Sequence, residues 1–261
     1  MPPKKKAPCS AKKLRVPVVL KVKDAPPSDK FYDIHENLPQ MPSLCLIIGS
    51  VRSGKSNLLT NFFCNEDFYK DKFDVVKIVS TTLHTDHKGK ILSKFFDCSD
   101  TYNDQIIEDI KQSQMNTPSD EERPTYALVM DDILTKDFSK NNAVSFFSTR
   151  FRHYIDFYVI AVQTFRAVSG MIRNNATDVI ICRQQNNKEL EKIAEEYGDC
   201  VGGQDNFMKL YQEAHRDKFS FLYLKLSENP AQAFVRFEKK IWPVRDEEND
   251  EEELDLDLDE I

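Results

Sequence analysis

The sequence has 261 residues, which is enough for one large domain or two small ones. Apolar residues make up 40% of it, with 18 Phe and 9 Tyr, so it can fill a hydrophobic core and wholesale disorder is excluded. The net charge of −7 is unevenly distributed. Residues 1–23 hold eight Lys and Arg and no acid, whereas residues 246–261 hold eleven Asp and Glu and no base.

Membrane-spanning and disulfide-rich classes of protein are also excluded. The longest apolar run is the six residues Phe157–Val162, far short of the ~20 that cross a bilayer. We expect no signal peptide at the N-terminus, since the short apolar run 16–20 is broken by Pro17. The six cysteines are scattered without a Cys-x-x-Cys pair and indicate free thiols. His84 and His87 have metal-ligand spacing but no third ligand, so we predict no zinc site.

Three zones follow one another along the chain. Residues 1–39 form a basic, Pro-containing arm, residues 40–245 a folded domain, and residues 246–261 an acidic tail. Within the domain, nearly continuous apolar runs predict strands buried on both faces. These strands are residues 44–48, 75–79, 126–130, 157–162 and 178–182. Amphipathic segments between them predict helices at residues 55–64, 88–96, 104–114, 140–153, 165–172 and 188–197.

This alternation predicts an α/β fold, in which a mostly parallel sheet carries helices on both faces. Residues 219–226 and 233–237 flank Ser227 to Pro230, a turn-like segment. They predict a β-hairpin added to one edge of the sheet.

The segment between the first predicted strand and helix matches the phosphate-binding loop pattern G-x-x-x-x-G-K-[ST], also called Walker A. Its glycines allow backbone N–H groups to turn toward phosphate oxygens, and the helix that follows presents its positive end to the same anion. Lys55 supplies a cation for the β- and γ-phosphates, and the Ser56 hydroxyl is a candidate Mg²⁺ ligand. The predicted nucleotide-binding residues are Gly49, Ser50, Val51, Arg52, Ser53, Gly54, Lys55, Ser56 and Asn57.

A pair of acids follows the predicted strand 126–130 and has the character of a Walker B motif. Asp131 is the candidate partner of Mg²⁺ through water. Asp132 is the candidate general base that polarises the attacking water. Taken alone, the pair fits a helix N-cap equally well, and the phosphate loop upstream favours the metal role.

Gln163 stands at the end of the predicted strand Phe157–Val162. If that strand lies beside the phosphate loop, its last side chain reaches the γ-phosphate. An uncharged amide there can sense the phosphate or orient a water molecule without competing for the metal.

The series of phosphate loop, Asp131-Asp132, Arg152-His153, Gln163-Thr164 and the segment from Met171 to Asn175 resembles the FtsK/HerA superfamily of DNA-pumping ATPases. Within it, the chain looks most like the genome-packaging ATPases of poxviruses and other nucleocytoplasmic large DNA viruses. The resemblance covers about residues 42–240.

The resemblance implies an additional-strand P-loop fold with sheet order 5-1-4-3-2, in which Gln163 lies on the strand between the loop strand and the Asp131 strand. It implies ATP and Mg²⁺ as cofactors, a ring of five or six subunits, and double-stranded DNA in the pore. An arginine from the neighbouring subunit completes each site, with Arg152 the first candidate and Arg173 the second. A capsid protein is a possible docking partner, and the expected location is the viral assembly site in the host cytoplasm or the virion.

Two other functions stay open at this point. A small nucleotide kinase shares the loop and the length but needs an acceptor pocket and a lid rich in arginine. A module that binds nucleotide without turnover is the other, because Asp132 stands where many relatives carry Glu. A signalling GTPase is disfavoured, since Asn187-Lys188-Glu189-Leu190 lacks the Asp of the guanine-reading motif.

The basic arm fits DNA contact, an import signal or a solvated terminus, and Arg166 could face a DNA pore.

Overall fold

The computed structural model describes residues 28–83, 87–117, 123–133 and 142–244. Residues 1–27, which hold the eight Lys and Arg counted above, lie outside these ranges, as do His84 and the acidic tail. The division into arm, domain and tail therefore stays a prediction. No helix of the described residues combines the length and apolar character that a membrane span requires.

A single mostly parallel sheet organises the described residues. Its strands are β1 Ser43–Ile48, β2 Val75–Ser80, β3 Asp97–Ser99, β4 Tyr126–Asp131, β5 Phe157–Val162, β6 Asp178–Cys182, β7 Phe221–Lys225, β8 Gln232–Val235 and β9 Lys239–Trp242. Their spatial order is β3-β2-β4-β5-β1-β6-β7-β8-β9. Neighbours from β3 to β6 pair in parallel, and the pairs from β6 to β9 are antiparallel.

The five strands predicted from apolar runs are β1, β2, β4, β5 and β6. Numbered in chain order, they lie in the order 5-1-4-3-2, so the predicted fold and sheet order are confirmed. Strand β5 lies between β1 and β4, with Ile48 opposite Val162 and Asp131 opposite Ala161. The carboxyl ends of these three strands are therefore level with one another.

Helices cover both faces of the sheet. They are α1 Lys55–Cys64, α2 His87–Leu92, α3 Gln105–Met115, α4 Asn142–Ser148, α5 Gly170–Asn175, α6 Asn187–Tyr197 and α7 Gln204–Ala214. The buried side chains of α1 and α2 pack on one face, where Phe62 and Phe63 contact the ring of Phe157. The buried side chains of α3 to α7 pack on the other face. Burial of these apolar side chains is the main favourable contribution to the fold.

Several elements differ from the sequence-based expectation. Residues 165–172 do not form one helix: a 3-10 turn at Phe165–Ala167 is followed by α5, whose N-terminus is capped by the Ser169 hydroxyl. Within residues 142–153, α4 ends at Ser148 and a separate 3-10 turn covers Phe151–His153. Strands β3 and β9 and helix α7 were not predicted. The predicted hairpin is present as β7 and β8, with β9 extending it.

Candidate nucleotide-binding site

Three of the predicted site elements lie at the carboxyl ends of the parallel strands. The phosphate loop follows β1, Asp132 follows β4 and Gln163 follows β5. All three line a single cavity of about 1480 Å³, together with Thr82 and Cys182. Ligands of parallel α/β sheets bind outside the carboxyl ends of the strands, and this cavity lies there.

Two glycines of the phosphate loop are required for different reasons. A Cβ atom on Gly49 would overlap the Ser53 Oγ and lie 2.6 Å from the Cys182 Cβ, so this position allows no side chain. Gly54 has open space around its Cα, but its φ of +109° belongs to the left-handed region that favours glycine. Gly49 thus lets the loop pack against β6, and Gly54 lets the backbone turn into α1.

Backbone hydrogen bonds fix the loop to its neighbours. The Gly49 N–H donates to the Val162 carbonyl of β5 at 3.1 Å, and the Ser50 N–H donates to the Arg183 carbonyl at 3.2 Å. The Ser50 hydroxyl accepts a hydrogen bond from the Gln185 N–H at 2.9 Å. The loop is therefore positioned by the strands on both sides of β1, as phosphate binding by main-chain N–H groups requires.

The Lys55 side chain is buried, with 7% of its surface exposed, and its ammonium donates to the Gly49 carbonyl at 2.7 Å. A cation that folds back over the loop from the first turn of α1 lies beside the space where the loop N–H groups converge. A nucleotide phosphate in that space would offer Lys55 an anionic acceptor in place of the neutral Gly49 carbonyl.

Asp131 is the last residue of β4 and is buried, on the sheet face covered by α1. Its Oδ2 accepts a hydrogen bond from the Ser80 hydroxyl at 2.9 Å. Ser56 is half-buried in the first turn of α1. A hydroxyl and a carboxylate are hard oxygen donors of the kind that Mg²⁺ prefers.

Asp132 and Gln163 are joined by a hydrogen bond. The Gln163 Nε2 donates to the Asp132 Oδ2 at 2.8 Å, which brings together two residues that lie 31 positions apart. Asp132 has a φ of +52°, and its N–H donates to the Ala161 carbonyl at 2.9 Å. Its Oδ1 is buried and has no hydrogen-bond partner among the described residues. A buried carboxylate oxygen without a donor is costly, so this side chain gains a hydrogen bond if it turns its Oδ1 toward a water molecule in the cavity.

Arg152 lies at the opposite end of β5 from Gln163. It is exposed in the 3-10 turn before the strand. Six strand residues at ~3.3 Å each separate the two ends by roughly 20 Å. The Arg152 guanidinium therefore cannot reach the cavity of its own chain.

Arg173 is held within its own chain. Its guanidinium pairs with the Glu196 carboxylate at 2.8 Å and lies 5.1 Å from the centroid of the Phe165 ring. These contacts join α5 to α6 and place Arg173 away from the cavity lining. Arg166 similarly pairs with Glu189 at 3.2 Å, although more than half of its side chain remains exposed.

Several cavity residues were not predicted from the sequence. Cys182, the last residue of β6, lies beneath the phosphate loop, and burial raises the pKa of its thiol to about 11. It therefore remains a neutral packing group at physiological pH. Phe219, Phe221, Arg236 and Phe237 line the cavity beyond Cys182. No motif marks them, because the antiparallel strands β7 and β8 bring them to this edge.

Comparisons with known proteins concern the fold that carries this site. The B204 DNA-packaging ATPase of Sulfolobus turreted icosahedral virus superposes with a TM-score of 0.55 at 16% identity, covering 75% of this chain and 98% of that one. The genome-packaging NTPase B204 of Sulfolobus turreted icosahedral virus 2 in complex with AMPPCP gives a TM-score of 0.50 at 12% identity, covering 75% and 98%.

In sequence, the chain is 25% identical over 187 residues to the uncharacterized protein 088R of Invertebrate iridescent virus 3, covering 70% of this chain and 69% of that one. No family model matches the sequence. The sheet order, the helices on both faces and the antiparallel extension confirm the resemblance drawn from the sequence at the level of the fold. The chain has the fold of the B204 genome-packaging ATPases of these Sulfolobus viruses.

Proposed function

We propose that this chain is a Mg²⁺-dependent ATPase that translocates double-stranded viral DNA into a capsid. One observation carries the proposal: the phosphate loop, Asp132 and Gln163 line the same cavity, and the two side chains are already hydrogen-bonded. The structural relatives named as packaging ATPases, one of them in complex with an ATP analogue, support the same activity.

The phosphate loop binds the triphosphate. Its N–H groups and the start of α1 hold the phosphate oxygens, and Lys55 moves from the Gly49 carbonyl to the β- and γ-phosphates. Ser56 and Asp131 are the residues that would hold Mg²⁺, which neutralises charge on the phosphates when bound. The hydrogen bond from Ser80 orients the Asp131 carboxylate for this role.

Asp132 accepts a proton from the attacking water through its Oδ1, which has no protein partner among the described residues and reaches the water when the buried carboxylate turns toward the cavity. Gln163 holds the other oxygen and stands at the end of the strand next to β1. A phosphate that draws the Gln163 amide toward itself also changes the position of Asp132. The pair thereby links detection of the γ-phosphate to orientation of the base.

Arg152 does not contribute to the site of its own chain, because it precedes β5 and the site lies at the other end of that strand. We assign Arg152 to the cavity of a neighbouring subunit in a ring of five or six, where it stabilises charge on the transferring phosphoryl group. Such an arginine raises the rate by ~10³–10⁵ in other P-loop enzymes. Arg173 is the weaker candidate, since it must first leave Glu196 and the Phe165 ring.

The proposed motor moves along duplex DNA and binds to a capsid protein. It acts at the viral assembly site or in the virion. Steady-state ATP hydrolysis, measured at several protein concentrations with and without long duplex DNA, tests the proposal. A steep rise with protein concentration, together with stimulation by DNA and loss of activity in Lys55→Ala, is the expected result. Slow turnover by a monomer that ignores DNA would contradict the motor and favour a kinase or a nucleotide-binding module.

A further inference from the structure

The cavity extends well beyond the phosphate loop in one direction. Along the edge of the sheet, Asp132, Gln163, the loop and Cys182 follow the order β4, β5, β1, β6. The next two strands continue this line, because antiparallel β7 begins and β8 ends at the same edge. Phe219 and Arg236 stand at those two positions and line the same cavity.

The spacing suits the parts of a nucleotide that follow the phosphates. Strands lie ~4.8 Å apart, so β7 is roughly 10 Å from β1, on the side away from Asp132. A triphosphate held by the loop with its γ-phosphate near Gln163 directs its ribose and base toward β6 and β7. The base then reaches the part of the cavity lined by Phe219 and Arg236.

Phe219 is exposed over 64% of its surface and has a φ of +64°. A bulky residue in the left-handed region is uncommon and is seen most often at turns and functional sites. The Lys218 ammonium lies 5.0 Å from the ring centroid, but Lys218 is not part of the cavity lining. The Phe219 side chain lines the cavity and is largely exposed, so it leaves surface for a planar ligand.

Arg236 is the second left-handed residue at this end, with a φ of +55°. Its N–H donates to the Phe221 carbonyl at 3.0 Å, which fixes it beside the start of β7. Its guanidinium is held by the Glu238 carboxylate at 2.6 Å. A guanidinium is a planar cation of the kind that stacks on a base.

We infer that Phe219 and Arg236 form the subsite that holds the base of the nucleotide by stacking. The inference rests on the proposed function, namely that the phosphate loop binds a nucleoside triphosphate. The side-chain amide of Asn37, which also lines this end, already donates to the Phe237 carbonyl at 2.9 Å. One donor of that amide is therefore already in use, and the contacts assigned to Phe219 and Arg236 are with the faces of the base.

Titration calorimetry of the full chain with MgATP and with magnesium tripolyphosphate tests the inference, because tripolyphosphate has phosphates but no base. Phe219→Ala should weaken ATP binding about tenfold and leave tripolyphosphate binding unchanged. Phe219→Tyr should retain ATP affinity. Phe95→Ala is the matched control, since Phe95 is 69% exposed and does not line the cavity.

Two results would overturn the inference. In the first, Phe219→Ala reduces the affinity for ATP no more than Phe95→Ala does. In the second, Phe219→Ala reduces the affinities for ATP and tripolyphosphate equally. Failure of the proposed function gives a different pattern. In that case ATP binding depends on Phe219, but wild-type hydrolysis does not respond to DNA. If wild type bound neither compound, the phosphate loop itself would be inactive and both proposals would fall.

Discussion

A methyl group added at Gly49 should destabilise the protein by forcing the phosphate loop away from β6. In Gly49→Ala, the new Cβ would lie 2.6 Å from the Cys182 Cβ, a distance that real Cβ atoms do not show. The overlap with the Ser53 Oγ can be relieved by rotation of the hydroxyl, whereas Cys182 belongs to the buried end of β6. Overpacking of this kind costs about 1–3 kcal/mol.

The size of the effect on unfolding follows from this cost. For a domain of this length, 1 kcal/mol corresponds to ~2–4 °C in Tm, so Gly49→Ala should melt roughly 2–12 °C below wild type. Nucleotide binding should also weaken, because the N–H groups of the loop move with Gly49. The control is Gly54→Ala, whose Cβ meets nothing within 4 Å and whose cost comes only from its φ of +109°.

A double-mutant cycle separates the two causes. Cys182→Gly removes the atom that the methyl group introduced by Gly49→Ala would strike, so the double variant should be more stable than the sum of the single effects by about 1 kcal/mol or more. Gly54→Ala combined with Cys182→Gly should be additive. Urea denaturation of all variants measures these terms. If the effects of Gly49→Ala and Cys182→Gly were also additive, the inferred contact between the phosphate loop and Cys182 of β6 would be contradicted.

Three further predictions concern the site and its support. Asp132→Asn should bind ATP within about threefold of wild type and lose hydrolysis by ~10²–10⁴, measured by calorimetry and phosphate release; full activity would contradict its role as base. Arg152→Ala and Lys55→Ala should each be inactive alone but recover activity when mixed, since an intact Arg152 then faces an intact loop; no recovery at any ratio would contradict action across an interface. Burial raises the pKa of Asp178, so the folded state binds more protons than the unfolded state between the two pKa values. The free energy of unfolding of wild type, relative to that of Asp178→Asn, should therefore fall as pH rises from about 4 through that window. Denaturation of both proteins at several pH values measures the difference. A difference that increases with pH would contradict the raised pKa.

Much of the fold could be predicted because the strands are buried on both faces. Each of β1, β4 and β5 is an apolar run whose residues are all buried, and such runs are visible without knowing their neighbours. The sheet order came from the family resemblance. Helix α7 was missed although Phe207, Leu210, Tyr211 and Ala214 have helical spacing and are all buried. The pattern is present in the sequence, so this helix was within reach of the same reasoning.

The candidate site shows where sequence patterns stop being informative. The phosphate loop is contiguous, so its pattern identified residues 51–57, all of which line the cavity. Cys182, Phe219 and Arg236 contribute single residues from separate strands, and only the pairing of β6, β7 and β8 brings them to the loop. The ion pair that holds Arg173 joins residues 23 positions apart on two helices, which no local pattern specifies. The catalytic roles of Asp132, Gln163, Arg152 and Arg173 stay predictions.

Displacement of a third strand from duplex DNA tests the central claim most directly. A triplex-forming oligonucleotide bound at one end of a long duplex is released only when a motor moves along the DNA. Wild type should release it with MgATP but not with a non-hydrolysable analogue, and Lys55→Ala should release none. ATP hydrolysis without release of the third strand, at protein concentrations where hydrolysis is maximal, would contradict a DNA-translocating motor.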